Sequence, residues 1–378
     1  MRIKSLNIQG FRGFRLFEMK DLGRINLIVG ANNSGKTTVL EAINLLAANG
    51  DTPAIWSMLL QRGEASGAER SATDSGSSKP VQIWRLFRGY DIEIGAAFHI
   101  EGIADGRIIA TMATIEEYDP TDSQALGVKF PPGDPSEEVL PPRLVRMRWS
   151  HSQSDETELL IPMRGRDGTS SMAIHRNSRL GAHGFPLRFL TASSLTVDTV
   201  IAFIDDIVLT PEEDLVIDAL RIIEPNIDRI ASSGTERLRS GLQPSSRGGV
   251  LVRLEGVKNR VPIGSLGDGI WRMLGLALSI VHCGDGILLV DDIDTGLHHT
   301  VMEDMWKFLD SAARKYNVQV FATTHSRDCY ESLAAIAHGS VSDNSDVTIQ
   351  RIERGREKAV AYSEQTLVAA AKHGYEVR

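Results

Sequence analysis

Long apolar runs are missing from this sequence, and cysteine is scarce. No apolar stretch approaches the roughly twenty residues that a transmembrane helix needs, and residues 1–6 alternate like a strand, without the apolar centre of a signal peptide. The two cysteines, Cys283 and Cys329, are too far apart in the sequence for metal-ligand spacing. These absences predict a cytoplasmic protein with no membrane segment, in which both cysteines are small buried side chains.

Positive charge is also in deficit. The chain has 41 Lys and Arg residues against 49 Asp and Glu, a net charge of −8. This balance argues against a protein that coats nucleic acid, although it leaves room for a local basic groove. The apolar share of 42% and the charged share of 24% are those of an ordinary soluble protein, and 378 residues are enough for a large core divided over two lobes.

The most informative stretch that is present runs from Ile25 to Thr38. An apolar, partly β-branched run ends at a glycine, four residues follow, and Gly-Lys-Thr then opens a helical pattern. This order predicts a strand, a phosphate-binding loop (residues 30–35, the phosphate loop) and a helix whose positive end faces the same anion. A turn that only joins a strand to a helix is the alternative, and the complete spacing disfavours it. The residues predicted to bind the phosphates are Gly30, Asn32, Asn33, Ser34, Gly35, Lys36, Thr37 and Thr38.

Two of these residues have distinct predicted roles. Lys36 supplies a positive charge to the β- and γ-phosphates of a nucleotide, and the Thr37 hydroxyl is a ligand for Mg²⁺.

A second apolar run, at residues 286–290, ends in two carboxylates. Such a run predicts a buried parallel strand. A carboxylate at the end of a strand beside the phosphate loop is where Mg²⁺ bound to a triphosphate needs a ligand, so Asp291 is predicted to bind the metal. Asp292 then faces the γ-phosphate and polarises an attacking water. The alternative is that both residues merely cap a turn.

A third apolar run, at residues 317–324, ends at His325. At that strand end the imidazole is placed to reach a γ-phosphate oxygen and to sense hydrolysis. A single histidine is usually structural, and only its position after the carboxylate strand favours the functional interpretation.

Small residues also precede an apolar helix at 270–280, in the segment 264–269 (the serine turn). They predict a second anion-binding helix start, with Ser265 and Gly267 as its contact residues. One chain has no need for two such sites around one triphosphate, whereas a dimer does, if the serine turn of one copy closes on the nucleotide of the other.

The remaining pattern predicts three segments along the chain: 1–64, 65–250 and 251–378. Extended runs at 91–100, 107–115, 143–149 and 159–162 predict an antiparallel β lobe inserted after the first helix. A helix is predicted from Thr210, as the N-cap, to near Pro225, with Glu213 closing a capping box. Loops are predicted at 65–78, 119–142 and 234–249.

Taken in order, these segments resemble the Walker A, signature, Walker B and switch-histidine motifs of ABC-class ATPases. The motif residues 11–14 (Phe-Arg-Gly-Phe) and 26–33 look like the RecF/SMC-type and OLD-type branch. The segments 292–298 and 375–378 resemble stand-alone ATPases of the OLD-like group. The long separation of Lys36 from Ser265 also resembles RecF-like proteins with an inserted lobe. The resemblance implies an α/β P-loop NTPase fold of the ABC type: a mixed parallel sheet flanked by helices, an inserted antiparallel β lobe and a helical lobe.

The same resemblance implies a head-to-tail homodimer around two ATP·Mg²⁺. Ser265 and Gly267 would contact the partner's γ-phosphate, and Thr295 to His298 would form the D-loop between the sites, unless His298 and His299 are plain surface residues. Many OLD-like ATPases belong to bacterial anti-phage operons, which implies an effector protein, a nuclease or a toxin, from the same operon.

Three departures from the family pattern bear on activity. Asp292 stands where a catalytic glutamate is usual, which implies slow or partner-stimulated hydrolysis. Gln61 and Gln82 are both candidates for the glutamine that senses Mg²⁺. Only residues 326–378 follow His325, so the Toprim nuclease domain of OLD proteins is expected to be absent.

Three functions are consistent with the sequence. The first is an ATPase switch that regulates a partner or a bound nucleic acid. The second is a DNA-repair clamp, for which the candidate basic residues are Arg143, Arg146, Arg148, Arg237, Arg239, Arg247 and Arg253. Arg146 and Arg148 share a strand face without interleaved aromatics, which favours a solvated edge. The third is a scaffold that binds ATP without hydrolysing it.

Overall fold

The computed structural model describes residues 2–64, 80–90, 92–118, 142–152, 155–164, 169–170, 185–191, 196–232, 249–339 and 346–363. Several predicted features lie outside these residues: the loops at 65–78 and 234–248, residues 119–141 of the long connection, the ending 375–378, and Arg237, Arg239 and Arg247.

Contacts group the chain into two compact units. Unit 1 contains residues 1–21, 35–185 and 353–359, and unit 2 contains residues 22–34, 186–352 and 360–378. The division predicted from the sequence, at 64/65 and 250/251, stays a prediction about domain organisation.

The strands, numbered along the chain, are β1 (Ile3–Phe11), β2 (Phe14–Met19), β3 (Ile25–Val29), β4 (Pro80–Val81), β5 (Ala97–Ala104), β6 (Arg107–Glu117), β7 (Pro142–Ser152), β8 (Asp155–Arg164), β9 (Thr169–Ser170), β10 (Leu187–Leu190), β11 (Ile227–Ser232), β12 (Val250–Leu254), β13 (Val261–Pro262), β14 (Ile287–Val290), β15 (Gln319–Thr324), β16 (Val347–Arg351) and β17 (Val360–Ser363). The α-helices are α1 (Lys36–Ala48), α2 (Thr52–Gln61), α3 (Val197–Ile207), α4 (Pro211–Arg221), α5 (Asp268–Val281), α6 (His299–Lys315) and α7 (Arg327–Gly339).

Unit 1 is built on a six-stranded antiparallel sheet in the order β2-β1-β5-β6-β7-β8. The predicted inserted strands are antiparallel, and they continue the N-terminal hairpin because β5 pairs directly with β1. The first inserted strand begins at Ala97, six residues later than predicted, since Gly95 takes a left-handed turn before it. β5 and β6 are joined by a two-residue turn at Asp105 and Gly106, both with positive φ (48° and 76°), as a hairpin turn with right-handed strand twist requires.

Unit 2 is built on a mixed sheet in the order β10-β14-β15-β3-β16-β17. The first five strands are parallel and β17 is antiparallel to β16. β3, β14 and β15 are buried along their whole length, which agrees with their mainly apolar sequences. Their buried polar residues are Asn26 in β3 and Gln319, Thr323 and Thr324 in β15. A three-stranded sheet, β11-β12-β13, and the helices α3 to α7 complete this unit.

The cysteines behave as predicted. Cys283 and Cys329 are buried, and burial raises the pKa of each thiol to about 12, so neither is a reactive thiolate near neutral pH. In the part of the chain that the structure describes, none of the helices combines the length and the apolar character that crossing a membrane requires.

The predicted helix start at Thr210 is confirmed. The Thr210 hydroxyl accepts the Glu212 N–H at 3.3 Å, while the Glu213 carboxylate accepts the N–H of Leu209 at 2.9 Å. In the predicted capping box Glu213 accepts the N–H of the N-cap residue itself, Thr210. In the structure it accepts the N–H of the preceding residue, Leu209.

We expect Thr210→Ala to lower the free energy of unfolding by about 1 kcal/mol, because an N–H of the first turn loses its acceptor. The measurement is the shift of the urea unfolding curve. Thr210→Ser keeps the hydroxyl and should unfold like the parent protein. An alanine variant as stable as the parent would show that the cap contributes nothing.

Candidate functional site

Three predicted segments meet at one edge of the unit 2 sheet. β14, β15 and β3 are adjacent and parallel, with Val290 in register with Ala322 and Thr324 in register with Val29. The next residues along the chain are Asp291, His325 and Gly30, so all three follow the carboxyl ends of neighbouring strands. In open parallel sheets, ligands bind at this edge.

The phosphate loop has a backbone that only glycine fits at its start. Gly30 has φ 152°, and a Cβ there would lie 2.3 Å from the carbonyl oxygen of Ile352. Asn33 is left-handed, with φ 58°, and the Ser34 N–H donates to Ala31 at 3.3 Å. Ser34 Oγ is buried and has no hydrogen-bond partner among the described residues. A loop with this curvature and an unpaired buried hydroxyl fits an anion such as phosphate.

Helix α1 begins directly after this loop. Gly35 precedes it with φ 106°, and a Cβ there would lie 2.5 Å from the ring of Phe14. No side chain caps the helix and its first turn has no acidic residue, so an anion is the favourable partner for the helix dipole. Lys36 is 5% exposed, and Thr37 beside it is half-buried. The residues of the predicted phosphate site therefore fit a nucleotide phosphate.

Thr323, which was not predicted from the sequence, forms hydrogen bonds with both aspartates that follow β14. The hydroxyl of Thr323 donates to Asp291 Oδ1 at 2.6 Å and accepts the Asp292 N–H at 2.8 Å. Asp292 is in the left-handed region, with φ 46°, so the backbone turns sharply between the two carboxylates. Asp291 fits a Mg²⁺ ligand because a strand-end carboxylate is the oxygen donor that this ion prefers.

His325 lies beside the second carboxylate. Its Nε2 is 3.9 Å from Asp292 Oδ1, and the side chains of His325 and Asp292 are 41% and 50% exposed. That distance is too long for a direct hydrogen bond. Both groups are accessible enough to contact a ligand at the sheet edge. The structure thus brings together Asp292 and His325, the two residues predicted to be catalytic.

Magnesium would be held mainly by phosphate and water oxygens. In the described residues, no group of three or more His, Cys, Asp or Glu side chains forms a metal site. Mg²⁺ commonly uses one or two protein ligands beside substrate phosphates, and Asp291 and Thr37 are of the right chemical type.

The serine turn presents an open surface. Ser265 and Gly267 are exposed, Gly267 has φ 95°, and a Cβ there would meet nothing within 4 Å. Helix α5 starts at the next residue without a side-chain cap. Both predicted residues are accessible to another molecule.

The segment after Asp292 packs on the start of α5. A Cβ on Gly269 would lie 2.8 Å from the carbonyl oxygen of Gly296. His298 is the N-cap of α6: its Nδ1 lies 2.9 Å from Thr300 Oγ1. His298 therefore has a local structural role whatever else it contacts.

Arg272 was missed from the sequence. Its guanidinium, buried in α5, donates to the carbonyl oxygens of Asp291 at 2.7 Å, Asp292 at 2.8 Å and Thr191 at 3.3 Å. Burial lowers the pKa of this guanidinium. The nearby carboxylates of Asp292, Asp294 and Asp291 oppose that shift. An arginine inside the apolar run 270–280 was the signal that could have identified it.

Arg12, from the motif at 11–14, is also buried, within unit 1. Its guanidinium donates to Glu64 at 2.6 and 3.0 Å and lies 2.8 Å from Glu41, which also accepts from Arg62. Burial raises the pKa of Glu41, and the two guanidinium groups oppose the rise. Because Glu41 belongs to α1, this ion-pair cluster fixes the helix that follows the phosphate loop.

Two of the basic residues considered for a DNA clamp, Arg146 and Arg148, have carboxylate partners. Arg146 pairs with Glu116 and Glu158, and Arg148 with Glu158, at 2.8 to 3.0 Å. The predicted sheet edge is wrong, because both arginines belong to β7, which is paired with β6 on one side and β8 on the other.

The two candidates for the glutamine that senses Mg²⁺ differ in their hydrogen bonds. Gln61 Oε1 is buried without a partner among the described residues, whereas Gln82 Oε1 accepts from Arg85.

The chain is similar in sequence to several known proteins. A sequence model of the family described as "AAA domain, putative AbiEii toxin, Type IV TA system" matches residues 25–328. A Helicobacter pylori protein described as an ATP/GTP phosphatase is 20% identical over 352 residues, covering 88% of this chain and 87% of that protein. RecF, the DNA replication and repair protein of Clostridioides difficile, is 38% identical over 47 residues, only 13% of its length.

Two solved structures of SMC heads align with most of this chain. The SMC head domain from Thermotoga maritima has a TM-score of 0.44 at 12% identity, covering 96% of this chain and 99% of that chain. An SMC head bound to the C-winged helix domain of ScpA has a TM-score of 0.46 at 14% identity, covering 98% of this chain and 100% of that chain.

Proposed function

Because this chain belongs to the AAA-domain family described with putative AbiEii toxins of type IV toxin–antitoxin systems, and is a P-loop ATPase of the AAA type, we propose that it is an ATP-driven switch. Two copies close head to tail around two ATP·Mg²⁺, and hydrolysis reopens them. The observation that carries the proposal is the meeting of the phosphate loop, Asp291–Asp292 and His325 at one edge of one sheet.

Each residue has a role that its position supports. The phosphate loop and Lys36 bind the phosphates, and Thr37 and Asp291 hold the ion. Asp292 accepts a proton from the attacking water and His325 contacts the γ-phosphate. When bound, ATP supplies the phosphoryl group and Mg²⁺ screens its charge.

The second copy supplies the other half of each site. Ser265 and Gly267, exposed at an uncapped helix start, contact the γ-phosphate held by the partner. We place the chain in the OLD-like branch and propose that the closed dimer regulates an effector, a nuclease or a toxin from the same operon. The family description names a type IV toxin–antitoxin system, which supports a role within such a system.

A RecF-like DNA clamp is the second candidate. The short RecF match favours it, while the carboxylate partners of Arg146 and Arg148 leave less free charge for DNA phosphates. Duplex binding that requires ATP and weakens steeply with salt would favour the clamp over the switch.

The dimer is tested by sedimentation with and without a slowly hydrolysed ATP analogue and Mg²⁺. We expect the parent protein to double in mass on adding nucleotide. Ser265→Arg should bind nucleotide yet stay monomeric, because the added side chain occupies the phosphate contact.

Ser311→Arg, which adds the same charge at an exposed position on α6, is the matched control and should dimerise. If Ser265→Arg dimerises at the same nucleotide concentration as the parent, the serine turn is not at the interface.

A further inference from the structure

Arg272 joins the helix of the serine turn to the carboxylate strand end. It is 6% exposed, in a helix whose other inward residues are mainly apolar. One of its nitrogen atoms donates to both carbonyl oxygens of the Asp291–Asp292 pair. A buried cation is costly unless it is paired. Two nitrogen atoms of this guanidinium are satisfied by carbonyl oxygens, whereas its Nε is buried without a hydrogen-bond partner among the described residues.

A second contact ties the same two segments together. At the first turn of α5, Gly269 approaches Gly296 so closely that a Cβ would lie 2.8 Å from the Gly296 carbonyl oxygen. The Asp268 side chain lies 3.4 Å from the Cβ position of Gly296. Helix α5 therefore contacts both ends of the segment 291–296, its first turn at Gly296 and Arg272 at the carboxylates.

The contact between Arg272 and Asp292 matters because the backbone of Asp292 has an unusual conformation. Its φ of 46° is sparsely populated for residues other than glycine, and such a conformation persists when its surroundings fix it. The Thr323 hydroxyl holds its N–H and Arg272 holds its carbonyl oxygen, so the two hydrogen bonds together fix both peptide groups of Asp292.

We propose that Arg272 is a positioning residue that couples the two sites of the dimer. When the serine turn of one copy engages the partner's nucleotide, α5 shifts, and Arg272 carries that shift to Asp292 of its own copy. Asp292 then reaches its working position only when both nucleotides are bound. This inference rests on the proposed ATPase dimer and adds the route by which each site senses the other.

The test compares Arg272→Met, Arg272→Lys and the control Arg314→Met, which removes an exposed arginine from α6. Four quantities are measured: the affinity for a fluorescent ATP analogue, kcat, the Hill coefficient of turnover against ATP concentration, and thermal stability. We expect Arg272→Met to keep its affinity within about twofold, to lose about tenfold or more in kcat, and to reduce the Hill coefficient from about 2 to about 1.

Arg272→Lys can donate to a carbonyl, so it should recover part of both kcat and cooperativity, and Arg314→Met should match the parent. If Arg272→Met leaves kcat and cooperativity unchanged, or lowers affinity and thermal stability together with kcat, the coupling role is wrong. Should Arg272→Met not fold, the lysine variant alone decides: full parental cooperativity overturns the proposal. A parent protein without ATP turnover would instead overturn the proposed function itself.

Discussion

Lys36→Ala abolishes nucleotide binding. The lysine is almost fully buried directly after the phosphate loop, and removing one partner of a buried charged contact costs about 3 kcal/mol or more, at least about a hundredfold in affinity. We expect titration with a fluorescent ATP analogue to show no saturation at concentrations that saturate the parent protein.

Lys20→Ala is the matched control, because Lys20 is exposed and its ammonium forms a surface ion pair with the Glu18 carboxylate at 2.8 Å. That variant should bind nucleotide like the parent, and circular dichroism should show both variants folded. A Lys36→Ala protein with parental affinity would mean that the phosphate loop does not hold the triphosphate.

The segments best predicted from the sequence are those whose signal is local. The strand before the phosphate loop and the helix after it were predicted because the apolar run, the glycines and the start of the helical pattern all lie within one short stretch, and the structure has β3 and α1 there. The signal for the capped start of α4 was equally local. The start of β5 was misplaced because Gly95 ends the preceding turn, and that turn was not recognised.

Contacts between segments that are distant in the sequence could not be predicted from such local signals. β5 pairs with its neighbour in sequence, β6, on one side, and nothing within its own sequence tells that its other side pairs with β1. Thr323 and Arg272 were missed for the same reason, since each acts on residues that are far from it in the sequence. The strand-end residues were predictable because parallel strands bring their carboxyl ends to one edge.

Asp292→Asn leaves nucleotide binding intact but stops turnover, so that closed dimers accumulate. The amide keeps the size of the side chain but cannot accept a proton from water, and general-base catalysis of this kind contributes about a hundredfold or more to the rate. Asparagine also suits the left-handed backbone at this position, so no unfolding is expected. The measurements are phosphate release and sedimentation in the presence of ATP and Mg²⁺.

Asp285→Asn provides a control of the same chemistry in the same backbone conformation. Asp285 also has a positive φ, 57°, but it is exposed in the turn before β14 and its carboxylate accepts from Asn317. The Asp285→Asn protein should hydrolyse ATP at the parental rate, and its dimers should reopen after hydrolysis. If Asp292→Asn does the same, another group polarises the water. If Asp292→Asn neither binds ATP nor dimerises, the carboxylate of Asp292 is needed for binding. The metal-binding role of Asp291 and the proton-accepting role of Asp292 then have to be exchanged.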